Sequence, residues 1–78
     1  MKAFALIQIR TGSIHEVVSF LKRTDHVSEA YAIFGPYDAI AVIEGEDLNQ
    51  IADTIYRDIQ SIPGVEQTLT CLSVSMDD

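Results

Sequence analysis

The stretch IFGPYDAIAVIEG, residues 33–45, holds an apolar run that stops at Gly35, turns, and resumes at Ala39. Gly, Pro and Asp are favoured turn residues, and the aromatic and β-branched residues on either side are typical of strands. The stretch therefore predicts an antiparallel hairpin. We expect one strand over residues 27–34 and the next over residues 38–45, joined by a short Gly-Pro-Tyr turn.

The chain before the hairpin predicts a strand followed by a helix. Residues 2–9, KAFALIQI, contain no Gly or Pro and are bounded by RTGS. Ser13 and Glu16 match the capping box S-x-x-E, so we expect each side chain to bond a free backbone N–H of the other residue. An apolar stripe at helical spacing then follows, made of Ile14, Val17, Val18 and Leu21.

The chain after the hairpin predicts a second helix and a fourth strand. Asp47 is a candidate N-cap, with Gln50 three residues on. Pro63 and Gly64 end the helix, and VEQTLTCLSV, residues 65–74, forms the strand before a polar tail over residues 74–78. The apolar face of this helix comprises Leu48, Ile51, Ala52, Ile55, Ile59 and Ile62.

The order β-α-β-β-α-β predicts an α+β fold, a ferredoxin-like sandwich. In this arrangement both helices cover one face of an antiparallel four-stranded sheet. A chain of 78 residues makes one domain, so we assign residues 1–78 to a single unit. Its small core makes an additional source of stability necessary.

The strands are apolar on both faces, which predicts a partner for the uncovered face. In the first strand Phe4 and Leu6 point one way, while Ala5 and Ile7 point the other. A sheet face that meets water is ordinarily polar. We therefore expect a two-fold dimer, sheet against sheet; the alternative is that the small alanines leave one face only mildly apolar.

Charge and composition exclude several classes of function. The net charge is −7, from twelve acidic and five basic residues, which disfavours direct binding to nucleic acid. No apolar run is long enough to span a membrane, and residues 1–10 do not resemble a signal peptide. The single cysteine excludes an internal disulfide and, together with the charge, favours a cytoplasmic protein. We expect no cofactor.

Several short motifs together resemble one known family. An apolar strand precedes Gly35-x-Tyr37-Asp38, and later come Ile62-Pro63-Gly64-Val65 and Thr68-x-Thr70. The chain resembles the effector-binding domain of the Lrp/AsnC (feast/famine) transcription regulators over essentially its whole length, most strongly over residues 30–74. Full-length members carry an N-terminal helix-turn-helix domain, whereas here Met1 is followed at once by the first strand. We therefore expect a stand-alone form and do not carry operator binding over.

The resemblance implies an assembly and a ligand site. Members dimerise through the sheet, assemble dimers into rings, often octamers, and bind an amino acid or related small metabolite between dimers. Carried over to this sequence, the ligand-binding residues are Gly35, Tyr37, Asp38, Thr68 and Thr70. A full-length Lrp/AsnC regulator is a further expected partner.

Each of these residues also has an ordinary structural interpretation. The turn could offer backbone N–H groups to a carboxylate, Gly35 would permit close approach, and Asp38 could accept from an ammonium. Gly, Pro and Asp are equally typical of a turn without a ligand. Thr68 and Thr70 share one face of their strand, where the hydroxyls could bond a ligand or a neighbouring strand.

Other chemistry-bearing residues give weaker patterns. Cys71 has no predicted base nearby, so we interpret it as a small buried or interface residue. His15 and His26, with Asp25 or Glu29, lack metal-ligand spacing, and we expect no metal. A small dimeric αβ-barrel enzyme would need an acid or base inside the sheet–sheet cavity, where Gln8, Glu29 and the threonines are the only candidates.

The leading hypothesis is a non-catalytic sensor that modulates Lrp/AsnC-type transcription regulation through assembly. It would bind an amino acid and favour whichever assembly completes the pocket. The alternative is a structural oligomerisation module that has lost its ligand and co-assembles with a DNA-binding paralogue. The enzyme is the third hypothesis.

Overall fold

Four strands and two helical stretches follow one another in a computed structural model that describes residues 1–76. The elements are β1 (Lys2–Ile9), α1 (Ile14–Lys22), β2 (Val27–Ala32), β3 (Ala39–Glu44), α2 (Leu48–Asp53), a π-helical segment (Thr54–Ile59) and β4 (Val65–Leu72). The predicted ferredoxin-like order is confirmed. Of the predicted polar tail over residues 74–78, residues 74–76 are exposed and lie beyond the last strand, while residues 77 and 78 lie outside the described residues.

The strands form one antiparallel sheet in the order β2-β3-β1-β4. β1 therefore lies at the centre, with β3 on one side and β4 on the other, while β2 and β4 are the edges. Buried side chains of both helical stretches belong to the same cluster as one face of β1 and β3. That face is the helix face of the sheet. No helix within residues 1–76 has the length and apolar character needed to cross a membrane.

Small side chains line the helix face and let the helices approach the sheet. Large side chains from the helices fill the remaining space, among them Leu21 from α1 and Ile51 and Ile59 from the second helical stretch. This close packing accounts for most of the apolar burial that stabilises so short a chain. The buried alanines of the sheet are Ala3, Ala5, Ala30, Ala39 and Ala41.

The opposite face, the open face, is apolar and uncovered in the single chain. Directly paired residues of neighbouring strands share a face, so the pairs of Phe4 with Val42 and of Leu6 with Ile40 and Leu69 place these side chains together. Leu69 is 47% exposed, and Phe4, Leu6 and Ile40 are half-buried. The predicted apolar character of this face is confirmed, and dimerisation through it remains a prediction.

The first helix has the predicted apolar stripe and lacks the predicted capping box. Val17, Val18 and Leu21 are buried. Ser13 occupies the N-cap position, but its side chain makes no capping bond because its backbone (φ −108, ψ 5) lies outside the extended region that aims an N-cap hydroxyl at the first turn. Gly64 packs beside Ser13, since a Cβ on Gly64 (φ +102) would lie 3.0 Å from the Ser13 Cβ. Tertiary packing thus sets this helix entry.

The second helix begins as predicted and then changes its winding. The Asp47 carboxylate accepts the N–H of Gln50 at 2.9 Å, and the Gln50 side chain accepts the N–H of Glu46 at 2.7 Å. We expected one regular helix, but the stretch after Asp53 is π-helical, and the N–H of Gln60 bonds the carbonyl of Ile55 at 2.9 Å, five residues back.

The change of winding coincides with a buried threonine that the sequence pattern did not predict. Thr54 is 2% exposed, and its hydroxyl donates to the Gln50 carbonyl at 3.0 Å. Bonds of this kind to the preceding turn bend helices. Ile51, Ile55, Ile59 and Ile62 are buried as predicted, whereas Leu48 is 53% exposed.

The strands around the hairpin are shorter than predicted. β2 ends at Ala32 instead of residue 34, β3 begins at Ala39 instead of residue 38, and residues 33–38 form a loop that we call the hairpin loop. Pro36 has no N–H to offer a ladder, so the last bond of the hairpin joins the Ile33 N–H to the Asp38 carbonyl at 3.0 Å. β4 likewise ends at Leu72, two residues early.

Candidate functional site

The hairpin loop is fixed to the central strand by Asp38. The Asp38 N–H donates to the Ile7 carbonyl at 2.9 Å, and the Asp38 carboxylate oxygen Oδ2 accepts the N–H of Ile9 at 2.8 Å. The second bond lies beside the irregularity in β1 between Gln8 and Ile9, where the ladder to β4 shifts. Asp38 therefore supplies a side-chain acceptor for a backbone N–H of β1 at the residue just before β3 begins.

This contact gives Asp38 a structural role that the sequence did not reveal. A charge-assisted bond to a backbone N–H is among the stronger hydrogen bonds in proteins, and here it is partly shielded from water. The predicted role, acceptance of an ammonium from a ligand, falls to the other oxygen, Oδ1. Asp38 thus combines an observed anchoring role with a predicted binding role.

The rest of the loop is open to its surroundings. Gly35 is exposed, and a Cβ built on it would meet no heavy atom within 4 Å. Tyr37 is half-buried, while Phe34 is fully exposed. We expected Phe34 to lie within a strand and share a face with Ala32, but it projects from the loop after the strand has ended. The main chain at Gly35 is accessible to a ligand or to another molecule.

Thr68 and Thr70 share one face of β4, as their spacing predicts, and that face is the helix face. They pair with Ile7 and Ala5, two buried residues of that face. The Thr68 hydroxyl accepts from the Gln60 side-chain amide at 2.9 Å, which links β4 to the end of the π-helical segment. Thr70 is exposed. Cys71 lies on the open face and is exposed in the single chain.

The predicted site residues do not converge within one chain. Asp38 lies beside β1 on the β3 side, whereas Thr68 and Thr70 lie on the β4 side. Two strand spacings separate these positions, about 10 Å. The loop residues and the threonines therefore form two separate surfaces of the same molecule.

An apolar groove lies between the second helical stretch and β4, beside one of these residues. Its volume is about 250 Å³, and we call it the α2–β4 groove. Thr70 is the one predicted site residue in its lining. The other lining residues are Leu48, Ile51, Ala52, Ile55, Tyr56 and Leu72.

The sequence indicated parts of this groove without identifying it. Leu48 falls on the predicted apolar face of its helix, yet together with Tyr56 and Leu72 it remains 45–69% exposed. Large apolar side chains that stay exposed side by side indicate a surface for binding. One signal in the sequence could have revealed the groove. The apolar face of the second helix is larger than the area that the edge strand β4 can cover, so part of it stays exposed.

The titratable groups of residues 1–76 bear on two kinds of feature, a metal site and a perturbed pKa. Within residues 1–76 no group of three or more His, Cys, Asp or Glu side chains could hold a metal ion. The Tyr31 hydroxyl donates to the Glu29 carboxylate at 2.5 Å. That hydrogen bond, and then the negative charge of Glu29, raises the pKa of Tyr31 above its ordinary value. Both residues lie at the β2 edge of the open face.

Comparison with protein families gives a match that covers nearly all of the described residues. The model of the Lrp/AsnC ligand-binding domain matches residues 2–76. A search of curated proteins found no match.

Solved structures of similar proteins share the fold. TTHA0845 from Thermus thermophilus has a TM-score of 0.91 at 30% identity, over 99% of this chain and 96% of that chain. The hypothetical protein PHS023 from Pyrococcus horikoshii has a TM-score of 0.87 at 30% identity, over 95% and 89%. The transcriptional regulator NMB0573 from Neisseria meningitidis, solved as a complex with L-Met, has a TM-score of 0.85 at 18% identity.

The first two of these proteins are about as long as the present chain, and the third is longer. The present chain spans almost all of the first two proteins, but only 51% of the Neisseria regulator. The fold, the family match and the structural neighbours agree. The chain belongs to the Lrp/AsnC family and comprises its ligand-binding domain.

Proposed function

We propose that this regulatory effector-binding domain senses an amino acid or a related small metabolite and transmits binding as a change of assembly. The observation that carries the proposal is the separation of the predicted site into two surfaces, the hairpin loop and the threonine side of β4. A pocket that uses both surfaces would be completed where the hairpin loop of one copy meets the threonines of another. Ligand binding would then favour the assembled state by its differential affinity.

The character of the hairpin loop supports the choice of ligand. Its accessible main chain at Gly35 can offer N–H groups to a carboxylate, and Asp38 Oδ1 can accept from an ammonium. Amino acids carry both groups. The L-Met in the Neisseria structure supports amino acids as the first class to test.

The apolar open face supports the assembly half of the proposal. A cytoplasmic dimer, sheet against sheet, would bury it, and further contacts would join dimers into a ring such as an octamer. Contact with a full-length Lrp/AsnC regulator would carry the signal to DNA. The proposal involves no catalytic step. Of the residues considered for an enzyme, Gln8 and Glu29 lie on the open face and Thr68 on the helix face.

A thermal-shift panel against the twenty amino acids tests the sensor directly. A ligand at 100 times its Kd adds about 2.7 kcal/mol per site, which raises the Tm of a domain of this size by roughly 10–20 °C. We expect one or two amino acids to give a selective shift, and light scattering to show a change of mass with the same amino acids. A flat panel contradicts the sensor.

Three variants at two loop positions locate the site if a shift is found. Gly35→Ala should leave the fold intact because its Cβ meets no neighbour, and it should weaken the response by blocking close approach. Asp38→Asn keeps an acceptor for the Ile9 N–H and removes the charge, whereas Asp38→Ala removes both. An ammonium site predicts loss of response in both Asp38 variants; a purely structural Asp38 predicts that Asn retains it.

The second candidate function is a structural oligomerisation module without a ligand. It is favoured by the internal bonds of Asp38 to Ile9 and of Thr68 to Gln60, which occupy groups that a ligand would use. This candidate predicts a flat panel together with co-purification of a DNA-binding paralogue. Assembly that depends on an amino acid contradicts it.

A further inference from the structure

Two apolar features within residues 1–76 are not covered by any other described part of the chain. The first is Phe34, fully exposed on the hairpin loop next to Gly35 and Pro36. The second is the α2–β4 groove, whose lining includes the exposed side chains of Leu48 and Tyr56. One is a projecting aromatic ring and the other is a hollow of about 250 Å³.

The geometry prevents a chain from inserting its own Phe34 into its own groove. The loop follows β2 at one edge of the sheet, and the groove borders β4 at the other edge, three strand spacings or roughly 14 Å away. The two features also lie toward opposite ends of the strands. Asp38 in the loop bonds Ile7 and Ile9 near the end of β1, whereas Leu72 in the groove pairs with Ala3 near its start.

Charge favours an apolar occupant of the groove. None of its seven lining residues is charged, although the chain carries a net charge of −7. Two copies of so acidic a protein repel each other at long range. A contact between an uncharged ring and an uncharged hollow brings the copies together without pairing carboxylates.

The area of the contact also limits what it can do. A buried aromatic side chain removes roughly 150–250 Å² from water, well below the roughly 1,000 Å² of a stable independent interface. The contact therefore acts as an anchor within a larger assembly. Central aromatic anchors of this kind carry much of the energy of an interface.

We propose that the aromatic ring of Phe34 from one copy of the chain inserts into the α2–β4 groove of a second copy. The inference rests on the assembly part of the proposed function. The open face would join two copies into a dimer, and the Phe34 contact would be a second, different contact between copies. In the proposed contact each copy gives its Phe34 ring to one neighbour and its groove to another, and such heterologous contacts close into rings when the rotation allows.

Thiol crosslinking tests the contact while leaving both partners intact. In a Cys71→Ser background, Gly35→Cys places a thiol beside the ring, and Asn49→Cys places one at the exposed rim next to Leu48. The matched control combines Gly35→Cys with His15→Cys, an equally exposed position on α1. With a short bis-maleimide reagent and no amino acid present, the first pair should yield species of three or more copies, and the control should not.

Removal of the ring supplies the decisive comparison. Adding Phe34→Ala to the crosslinking pair should abolish the larger species, and Phe34→Leu should restore part of them. Without cysteines, Phe34→Ala should raise the assembly midpoint concentration roughly 30-fold, the effect of losing an aromatic hot spot. Ala52→Phe, which fills the groove from within, should have the same effect.

The outcomes separate this contact from the proposed function. Crosslinking that is unchanged by Phe34→Ala, or equal in the control pair, overturns the contact, as does a chain that stays monomeric. A selective amino-acid response combined with such a result would leave the sensor standing. A flat amino-acid panel with ring-dependent crosslinking would overturn the sensor and retain the contact.

Discussion

The two helical stretches cover the same sheet face in different ways. α1 turns a continuous stripe of Val17, Val18 and Leu21 onto the sheet and leaves them buried. α2 passes into a π-helical segment and leaves a groove against β4. The first half of the molecule is closely packed, and the second half is less closely packed where the α2–β4 groove lies.

The difference teaches where a small domain can place a site. Its core is too small to tolerate many voids, so an opening has to lie at an edge of the sheet. β4 is such an edge, and the change of winding between Asp53 and Thr54 occurs beside it. π-helical turns are frequent at functional sites, which fits the position of this one.

The largest effect should come from truncating a core side chain in the well-packed half. Leu21 is fully buried, so Leu21→Ala should cost about 2–5 kcal/mol of unfolding free energy. Ile55→Ala should cost only about 2 kcal/mol, the low end of that range, because the space it leaves opens into the groove and admits water. Denaturant unfolding at one fixed protein concentration measures both. Equal costs would contradict the difference in packing.

Two glycines offer a comparison of intermediate size. At Gly64 a Cβ would approach the Ser13 Cβ to 3.0 Å and the Val17 Cγ2 to 3.1 Å, and φ is +102, so Gly64→Ala should cost roughly 1–3 kcal/mol. Gly35→Ala meets no neighbour and should leave stability unchanged or raise it by up to about 1 kcal/mol. Thermal unfolding of the two variants gives the order, and a destabilising Gly35→Ala would show that the loop is more tightly held than described.

The two helix N-termini give the smallest effects. Asp47→Ala removes an observed capping bond and should cost about 1 kcal/mol. Ser13→Ala removes a side chain that makes no capping bond and should change stability by less than about 0.5 kcal/mol. Chemical denaturation resolves this difference. A cost of about 1 kcal/mol for Ser13→Ala would instead indicate that the predicted capping box forms in solution.

The features that the sequence predicted correctly depend on local patterns of residues. The order of the elements, the two apolar faces of β1 and the Asp47 cap depend on residues within a few positions of one another. The motif Gly35-x-Tyr37-Asp38 likewise located the loop. For these features a single sequence is sufficient evidence.

What the sequence could not predict depends on distant parts of the chain. The bond from Ile9 to Asp38 joins residues 29 positions apart, and it requires the register of β1 against β3. The start of α1 is set by packing against Gly64, which follows the second helical stretch. The local motif at Ser13 therefore gave a wrong prediction of a capping box. The groove arises from the winding of one helix relative to an edge strand, which no periodicity specifies.

The π-helical segment also bears on how related sequences should be aligned. A turn closed by a bond from Gln60 to Ile55 contains one residue more than an α-helical turn. Removing one residue between Thr54 and Ile59 would therefore convert the segment to an ordinary α-helix while both ends of the helix kept their places in the fold. A relative with a one-residue gap at this point would share the topology and have a differently shaped groove.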